Sequence, residues 1–289
     1  MLESRVRCSL AREEFPTNEN GRDMTLTDEQ VKIYLSRLGC EDPGSPSLET
    51  LNKLTFQHLI CIPFSTVDLC RTKIAPDLTL EGAFTKVIDR RRGGYCFELN
   101  FVFQKLLVAL GFDAKPAIAR VGMGMAERRA FSHRCSVVYL DGKSYVVDVG
   151  FGGPAAAGAV LLEEGVEQEI FGDTFYTRQL FDATWALYRI TKKVEEVTPG
   201  EEDRMGWKVI EFYLIPVVDD DFLSLNVRLA SPGMLFYEQE ILNIRTPEGN
   251  TSYKPSELTI RKHGEVQIIP IAEGEEFDKM CEEHFFFTP

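Results

Sequence analysis

Asp141-Gly142 lies between two runs of strand-forming residues, 134–140 and 144–149. This pair constrains the fold more than any other feature of the chain. Such a dipeptide between two strand patterns signals a two-residue hairpin turn, whose backbone needs positive φ. If it forms the turn, Leu140 faces Lys143, and counting back sets Cys135 against Asp148 and His133 against Gly150. Opposed residues share a face and side chains alternate along each strand. His133 and Asp148 are then diagonal neighbours on one face, roughly 7–8 Å apart. A slip of one residue would put them on opposite faces. The hairpin therefore predicts a preformed histidine–carboxylate pair.

Upstream, Arg92-Gly93-Gly94-Tyr95-Cys96-Phe97-Glu98-Leu99-Asn100 places a cysteine where a glycine-hinged turn runs into a helix. The two glycines let the backbone turn closely, leaving the sulfur at the positive end of the helix dipole. A free thiol, with a pKa of about 8.5, is only slightly ionised at neutral pH; a helix N-terminus and an imidazolium lower such a value by several units. Cys96, His133 and Asp148 are thus candidates for nucleophile, base and orienting carboxylate. Each has a structural reading when taken singly: a buried thiol, a bonded sheet histidine, a strand-end carboxylate. The di-glycine, the register and the chain order together favour the chemical reading. The other six cysteines, Cys135 among them, and His58, His263 and His284 read as structural or surface residues.

At 289 residues the chain is long enough for two or three compact units. A net charge of −13 argues against a nucleic-acid partner, which needs a basic face, but leaves room for an anionic cofactor at a local cluster of cations. No run of about 18 apolar residues is present, so no membrane span is expected. Residues 1–22 lack the apolar core of a secretory signal. Seven scattered cysteines without paired spacing point to reduced thiols and a cytoplasmic location. The absence of Cys-x-x-Cys and His-Glu-x-x-His spacings predicts no metal.

Residues 1–24 read as a polar extension. Residues 25–110 read as a helical unit carrying the nucleophile. Thr27-Asp28-Glu29-Gln30 is a capping-box pattern opening a first helix that Gly39 stops. Further helices are expected at 48–61, at 80–89, and from Cys96 to Gly111. The texture changes after Gly111. Short β-branched and aromatic runs at 117–121, 134–140, 144–149, 187–190 and 208–215 predict an antiparallel sheet able to close on itself, spanning 111–215. After Pro216 and Asp219-Asp220-Asp221, residues 216–289 form a mixed segment, with strands near 258–260 and 266–269 and a helix from about Glu273.

These motifs resemble those of the arylamine N-acetyltransferase family. Its Arg-Gly-Gly-x-Cys-x-Glu-x-Asn signature is met by Arg92, Gly93, Gly94, Cys96, Glu98 and Asn100, and its Asp-x-Gly-Phe-Gly segment by Asp148, Gly150, Phe151 and Gly152. Weaker echoes are His58 with Ile62-Pro63-Phe64, Asp221-Phe222 through Asn226, Ser231-Pro232, and Thr246-Pro247-Glu248-Gly249. The resemblance runs from about Thr27 to the C-terminus. It implies an α+β fold: an N-terminal helical bundle, a central antiparallel β-barrel and a C-terminal α/β lid, around a cysteine-protease-like catalytic core. It also implies a ping-pong reaction with acetyl-coenzyme A as co-substrate and an arylamine, hydrazine or N-hydroxyarylamine as acceptor. Cys96 would carry the acetyl group, His133 would handle the proton, and the Cys96 amide would serve an oxyanion.

Phe151 and Phe64 are expected at the acceptor, and Arg129, Arg228 and Ser231 at the coenzyme. The family's Pro-Phe-Glu-Asn is Pro63-Phe64-Ser65-Thr66 here, and Arg129 and Arg228 replace its usual small polar and aromatic residues. Either arginine suits a coenzyme A phosphate or a carboxylated acyl group such as malonyl. A thiol hydrolase or transglutaminase-like enzyme, using the same three side chains, and a catalytically silent ligand binder are the competing readings.

Overall fold

Thr27 closes the first helix as its pattern requires. Its hydroxyl accepts from the Gln30 N–H at 3.2 Å, and Gln30 Oε1 accepts from the Thr27 N–H at 3.0 Å. Helix α1 (Asp28–Arg37) follows, and Gly39, at φ 64°, ends it. This computed structural model describes residues 25–124, 128–190 and 206–289; the expected polar extension, 1–24, lies outside the described residues.

The Ser47 hydroxyl caps α2 (Leu48–Cys61) by accepting from the Thr50 N–H. The chain then forms the two-residue strand β1 (Phe64–Ser65), α3 (Val67–Thr72), and α4 (Leu80–Phe84), which runs into a π-helical turn at Thr85–Asp89. Helix α5 (Cys96–Ala109) is apolar nearly all round and lies in the middle of the molecule; only Lys105, Val108 and Ala109 of its residues are not buried.

Among the described residues eight strands form the second unit: β2 (Asp113–Val121), β3 (His133–Leu140), β4 (Lys143–Val147), β5 (Val160–Leu161), β6 (Gln168–Ile170), β7 (Asp173–Phe181), β8 (Thr184–Ile190) and β9 (Gly206–Tyr213). Their order is β5-β4-β3-β2-β9-β8-β7-β6, with every described pairing antiparallel. The two ends of the sheet meet. Gly165 N–H donates to Thr177 O at 2.9 Å, and the Thr177 hydroxyl donates to Leu161 O at 3.1 Å, leaving a nearly closed barrel. Asp141 and Gly142 both have positive φ, 51° and 75°, as the tight hairpin turn demands. The register runs from Leu140↔Lys143 to Ser136↔Val147. In β9 the consecutive residues Val209, Ile210, Glu211 and Phe212 are all buried, so both faces of this strand are covered.

Helices α6 (Asp221–Leu229) and α7 (Leu235–Glu238) precede the meander β10 (Leu242–Thr246), β11 (Gly249–Lys254), β12 (Glu257–Lys262) and β13 (Glu265–Pro270), and α8 (Glu275–Phe285) follows it. Phe277, Met280, Cys281 and Phe285 of α8 share a core with Leu242, Ile244, Tyr253 and Leu258. Two details tie this region to the rest. Strand β1 pairs with the edge of β10, Phe64↔Asn243 and Ser65↔Leu242, while Phe222 and Leu229 of α6 join the core of the helical bundle. The Thr66 hydroxyl donates to Gln239 O at 2.9 Å and accepts from the Ile241 N–H at 2.8 Å, so the departure from the family's Glu-Asn at Ser65-Thr66 still anchors that loop.

The architecture is α+β, as expected. No described helix is long and apolar enough to cross a membrane, and the six described cysteines are all free thiols.

Candidate active site

Gly93 has φ 66°, and a Cβ there would lie 2.4 Å from the Pro63 carbonyl oxygen. Only glycine lets the chain pass this close beneath β1, where Ser65 N–H donates to Gly94 O at 2.8 Å. The tight passage delivers Tyr95 as the N-cap residue of α5 and Cys96 as its first helical residue. Glu98 Oε2 accepts from the Tyr95 N–H at 3.1 Å, and Glu98 Oε1 pairs with Lys86 at 2.7 Å. Burial raises the pKa of Glu98, and Lys86 opposes that rise. Asp68 in turn bridges Lys86 and Arg92, and Arg92 also donates to the Thr288 carbonyl. A cleft of about 760 Å³ opens beside these charges, but its lining includes none of Cys96, His133 and Asp148.

His133 opens β3, and Asp148 sits one residue past β4. Their side chains meet as the hairpin register predicts, with His133 Nε2 and Asp148 Oδ2 at 2.6 Å and both residues buried. The other carboxylate oxygen accepts from Asn100 Nδ2 at 2.8 Å and from the Gly150 N–H at 2.9 Å. Asn100 lies one helical turn beyond Cys96. Its Nδ2 also donates to the Arg134 carbonyl at 2.6 Å, and its Oδ1 accepts from the Val149 N–H at 2.9 Å. One side chain of α5 thus holds the start of β3 and the segment just past β4. Gly150 permits this approach, since a Cβ there would lie 2.8 Å from Cys96 Cα.

Cys96 Sγ lies 3.7 Å from Ser132 O, and Cys96 is close enough to the His133 ring to favour its protonated form. With Nε2 engaged by Asp148, Nδ1 is the ring nitrogen left for the sulfur. Burial lowers the pKa of the His133 ring. The charges of Asp148 and Cys96, with the hydrogen bonds from both, outweigh that effect and push it up to about 10. The ring is therefore held as an imidazolium between two acidic partners. Cys135, two residues on, is a contrasting case: it is buried in the barrel core and desolvation drives its pKa well upward, which leaves an inert thiol.

Phe151 packs edge-to-face on the His133 ring at 5.5 Å between centroids. Phe64 is buried in β1 against Phe236 at 5.7 Å. The Arg129 side chain is exposed, while its carbonyl accepts from Arg120. Arg228 is exposed on α6 and donates to the Phe131 carbonyl at 3.2 Å; the Ser231 hydroxyl is bonded to Val227 O at 2.8 Å. The roles of Asn100 and Gly150 in gripping the hairpin were not read from the sequence. The four-residue step from Cys96 to Asn100, which places both on one helix face, was the available signal. Among the described residues no group of three or more His, Cys, Asp or Glu could hold a metal ion.

Fold and cluster together define a class: an α+β architecture with a cysteine, a histidine and an aspartate joined at the seam of helical bundle and barrel. The profile of the N-acetyltransferase family matches residues 47–288. The arylamine N-acetyltransferase of Mycolicibacterium smegmatis is 29% identical over 244 residues, 82% of this chain and 84% of that protein. The solved arylamine N-acetyltransferase from Salmonella typhimurium superposes with a TM-score of 0.81 at 23% identity, covering 91% of this chain and 92% of that one. The enzyme of Mycobacterium marinum, solved in complex with CoA, gives 0.78 at 22% identity, covering 88% and 92%. The chain belongs to the arylamine N-acetyltransferase family.

Proposed function

We propose that this protein transfers an acetyl group from acetyl-coenzyme A to the nitrogen of an arylamine, hydrazine or N-hydroxyarylamine, through a thioester on Cys96. The observation that carries the reading is the 2.6 Å His133–Asp148 pair beside a cysteine at a helix N-terminus. Family membership supports the reaction class, and the CoA complex of the M. marinum relative supports the donor.

In the first half-reaction the Cys96 sulfur attacks the acetyl carbonyl carbon. The Cys96 N–H, one of the helix N–H groups with no carbonyl four residues back, donates to the oxyanion. The thioester bond to coenzyme A breaks, and its sulfur leaves with the proton that His133 held. In the second half-reaction the acceptor nitrogen attacks the acetyl-Cys96 carbonyl, His133 takes the proton from that nitrogen, and the Cys96 sulfur leaves. Asp148 keeps the ring oriented and its charge balanced throughout. Phe151 presents an aromatic edge to the His133 ring and would line the acceptor's path. Arg129 and Arg228 are exposed cations suited to the coenzyme's phosphates.

Incubation with acetyl-coenzyme A alone should add one acetyl group to Cys96, seen by intact mass and peptide mapping, with one equivalent of free coenzyme A. Addition of an arylamine should discharge it. Equal turnover by wild type and Cys96→Ala would overturn the reading. Discharge by water or by protein lysines alone would favour the hydrolase or transglutaminase-like alternative.

A further inference from the structure

His133 is gripped on both sides by one segment of the C-terminal region. On one side, Arg228 of α6 donates to the Phe131 carbonyl at 3.2 Å. On the other, Arg134 Nη2 donates to Asp219 Oδ1 at 2.7 Å, just ahead of α6. The Arg134 guanidinium is buried between two rings, 4.8 Å from the centre of Phe101 of α5 and 4.6 Å from that of Phe222 of α6. The second oxygen of Asp219 takes Lys105 Nζ of α5 at 2.8 Å. The Arg134 carbonyl is already bound by Asn100, which also holds Asp148. α6 is itself fixed to the nucleophile helix: Phe222 packs on Phe97 at 5.6 Å, and Asn226 accepts from the Tyr95 hydroxyl and donates to Pro76 O at 2.8 Å.

We infer that Asp219 is a positioning residue for His133: by locking Arg134 against α5 and α6, it sets where the imidazole stands relative to Cys96. A guanidinium buried between two phenyl rings has no water to turn to, so loss of its carboxylate partner forces the side chain, and the strand start that carries it, to move. His133 begins that strand, and displacements of about 1 Å at a reacting group cost roughly a hundredfold in rate. Burial opposes ionisation of Asp219, yet Arg134 and Lys105 together hold its carboxyl below the usual range, so the latch is charged at neutral pH. The ionisable groups around the two latched residues are Asp148 and Cys96 at the ring, and Asp219, Lys105, Cys96 and Cys135 at the guanidinium.

The inference rests on the proposed Cys96–His133 pairing, and the test separates the two. In the full chain, the rate of Cys96 alkylation by iodoacetamide is measured at pH 6 and pH 9, with Cys96→Ala as blank and with melting temperature recorded. Wild type should keep substantial alkylation at pH 6 relative to pH 9. Asp219→Asn should lower that ratio by about tenfold and reduce kcat, leaving KM for acetyl-coenzyme A within about twofold. Asp219→Glu should restore most of the ratio. The double variant Arg134→Leu/Asp219→Leu, which removes the buried guanidinium together with its half-buried partner, should regain melting temperature but not the ratio. A wild-type ratio in Asp219→Asn, or in the apolar double variant, would show the latch to be packing alone and overturn the inference. If Asp219→Asn does not fold, the double variant decides. A wild-type protein with no alkylation at pH 6 would remove the pairing itself, and the inference with it.

Discussion

The interface of α1 with α2 and the seam between bundle and barrel each bury a histidine, with opposite results. His58 sits in the first region, against Tyr34 at 6.0 Å and Phe103 at 5.1 Å, and its ring nitrogens find no hydrogen-bond partner among the described residues. Desolvation, aided by the charge of Arg37, pushes its pKa down to about 3. His133 is just as buried, yet is pushed up to about 10. The difference lies in neighbours. A carboxylate at 2.6 Å and the nearby Cys96 reverse what burial imposes. Burial of an imidazole therefore carries no chemical meaning by itself; the acid beside it does.

The comparison breaks most sharply at Asp148. Asp148→Asn keeps the shape of the pair but removes its charge, and should reduce acetyl transfer by about 10³–10⁴-fold in steady-state assays. The His133 titration midpoint, followed by ring NMR, should fall toward the acid side in the same variant.

Next in size is an effect on the holding side chain. Asn100→Ala removes donors to Asp148 and to the Arg134 carbonyl, leaving buried acceptors unpaired. Denaturant unfolding should show a loss of about 1–3 kcal/mol.

The two histidines should also bend the pH–stability curve in opposite senses. His58 has a folded pKa below its unfolded value of about 6.5, so the unfolded state binds more protons at acid pH and stability falls as pH drops from 6.5 toward 3. His133 has a raised folded pKa, so its contribution is full below about 6.5 and is lost as pH climbs toward 10. Melting temperatures across that range should show both limbs. His58→Leu should flatten the acid limb, keep the alkaline one, and change acetyl transfer by less than about twofold. Loss of the alkaline limb in that variant would count against the contrast.

Local chemistry made much of this legible. Asp141-Gly142 has a single favoured geometry, and it alone carries the register that joins His133 to Asp148. Thr27 with Gln30, and Gly39 after Leu38, mark α1 to within a residue. Less was legible where partners are distant. Phe64-Ser65 becomes a strand only because β10 lies beside it, and nothing within two residues announces a partner almost 180 positions away. β7, Asp173–Phe181, mixes buried and exposed positions without a clean alternation, and its bulge at Gln179/Phe181 breaks the period that would have revealed it. No helix is expected at α6, where the sequence shows only an acidic run, Asp219-Asp220-Asp221, and the echo from Asp221 to Asn226, because its buried Phe222, Asn226 and Leu229 acquire meaning only against the rest of the fold. At the site, the meeting of His133 with Asp148 is legible from spacing, whereas the Arg134–Asp219 latch joins residues 85 apart by tertiary packing alone.

The pairing of β1 with β10, and the bond from Arg92 to the Thr288 carbonyl, give biosynthesis a fixed order. Residues 242–288 must leave the ribosome before the loop that feeds Cys96 has its tethers. A nascent chain shorter than that carries every reactive side chain and still lacks the brace that aims them. The loop ahead of Cys96 therefore meets its brace only once residues 242–288 have been made.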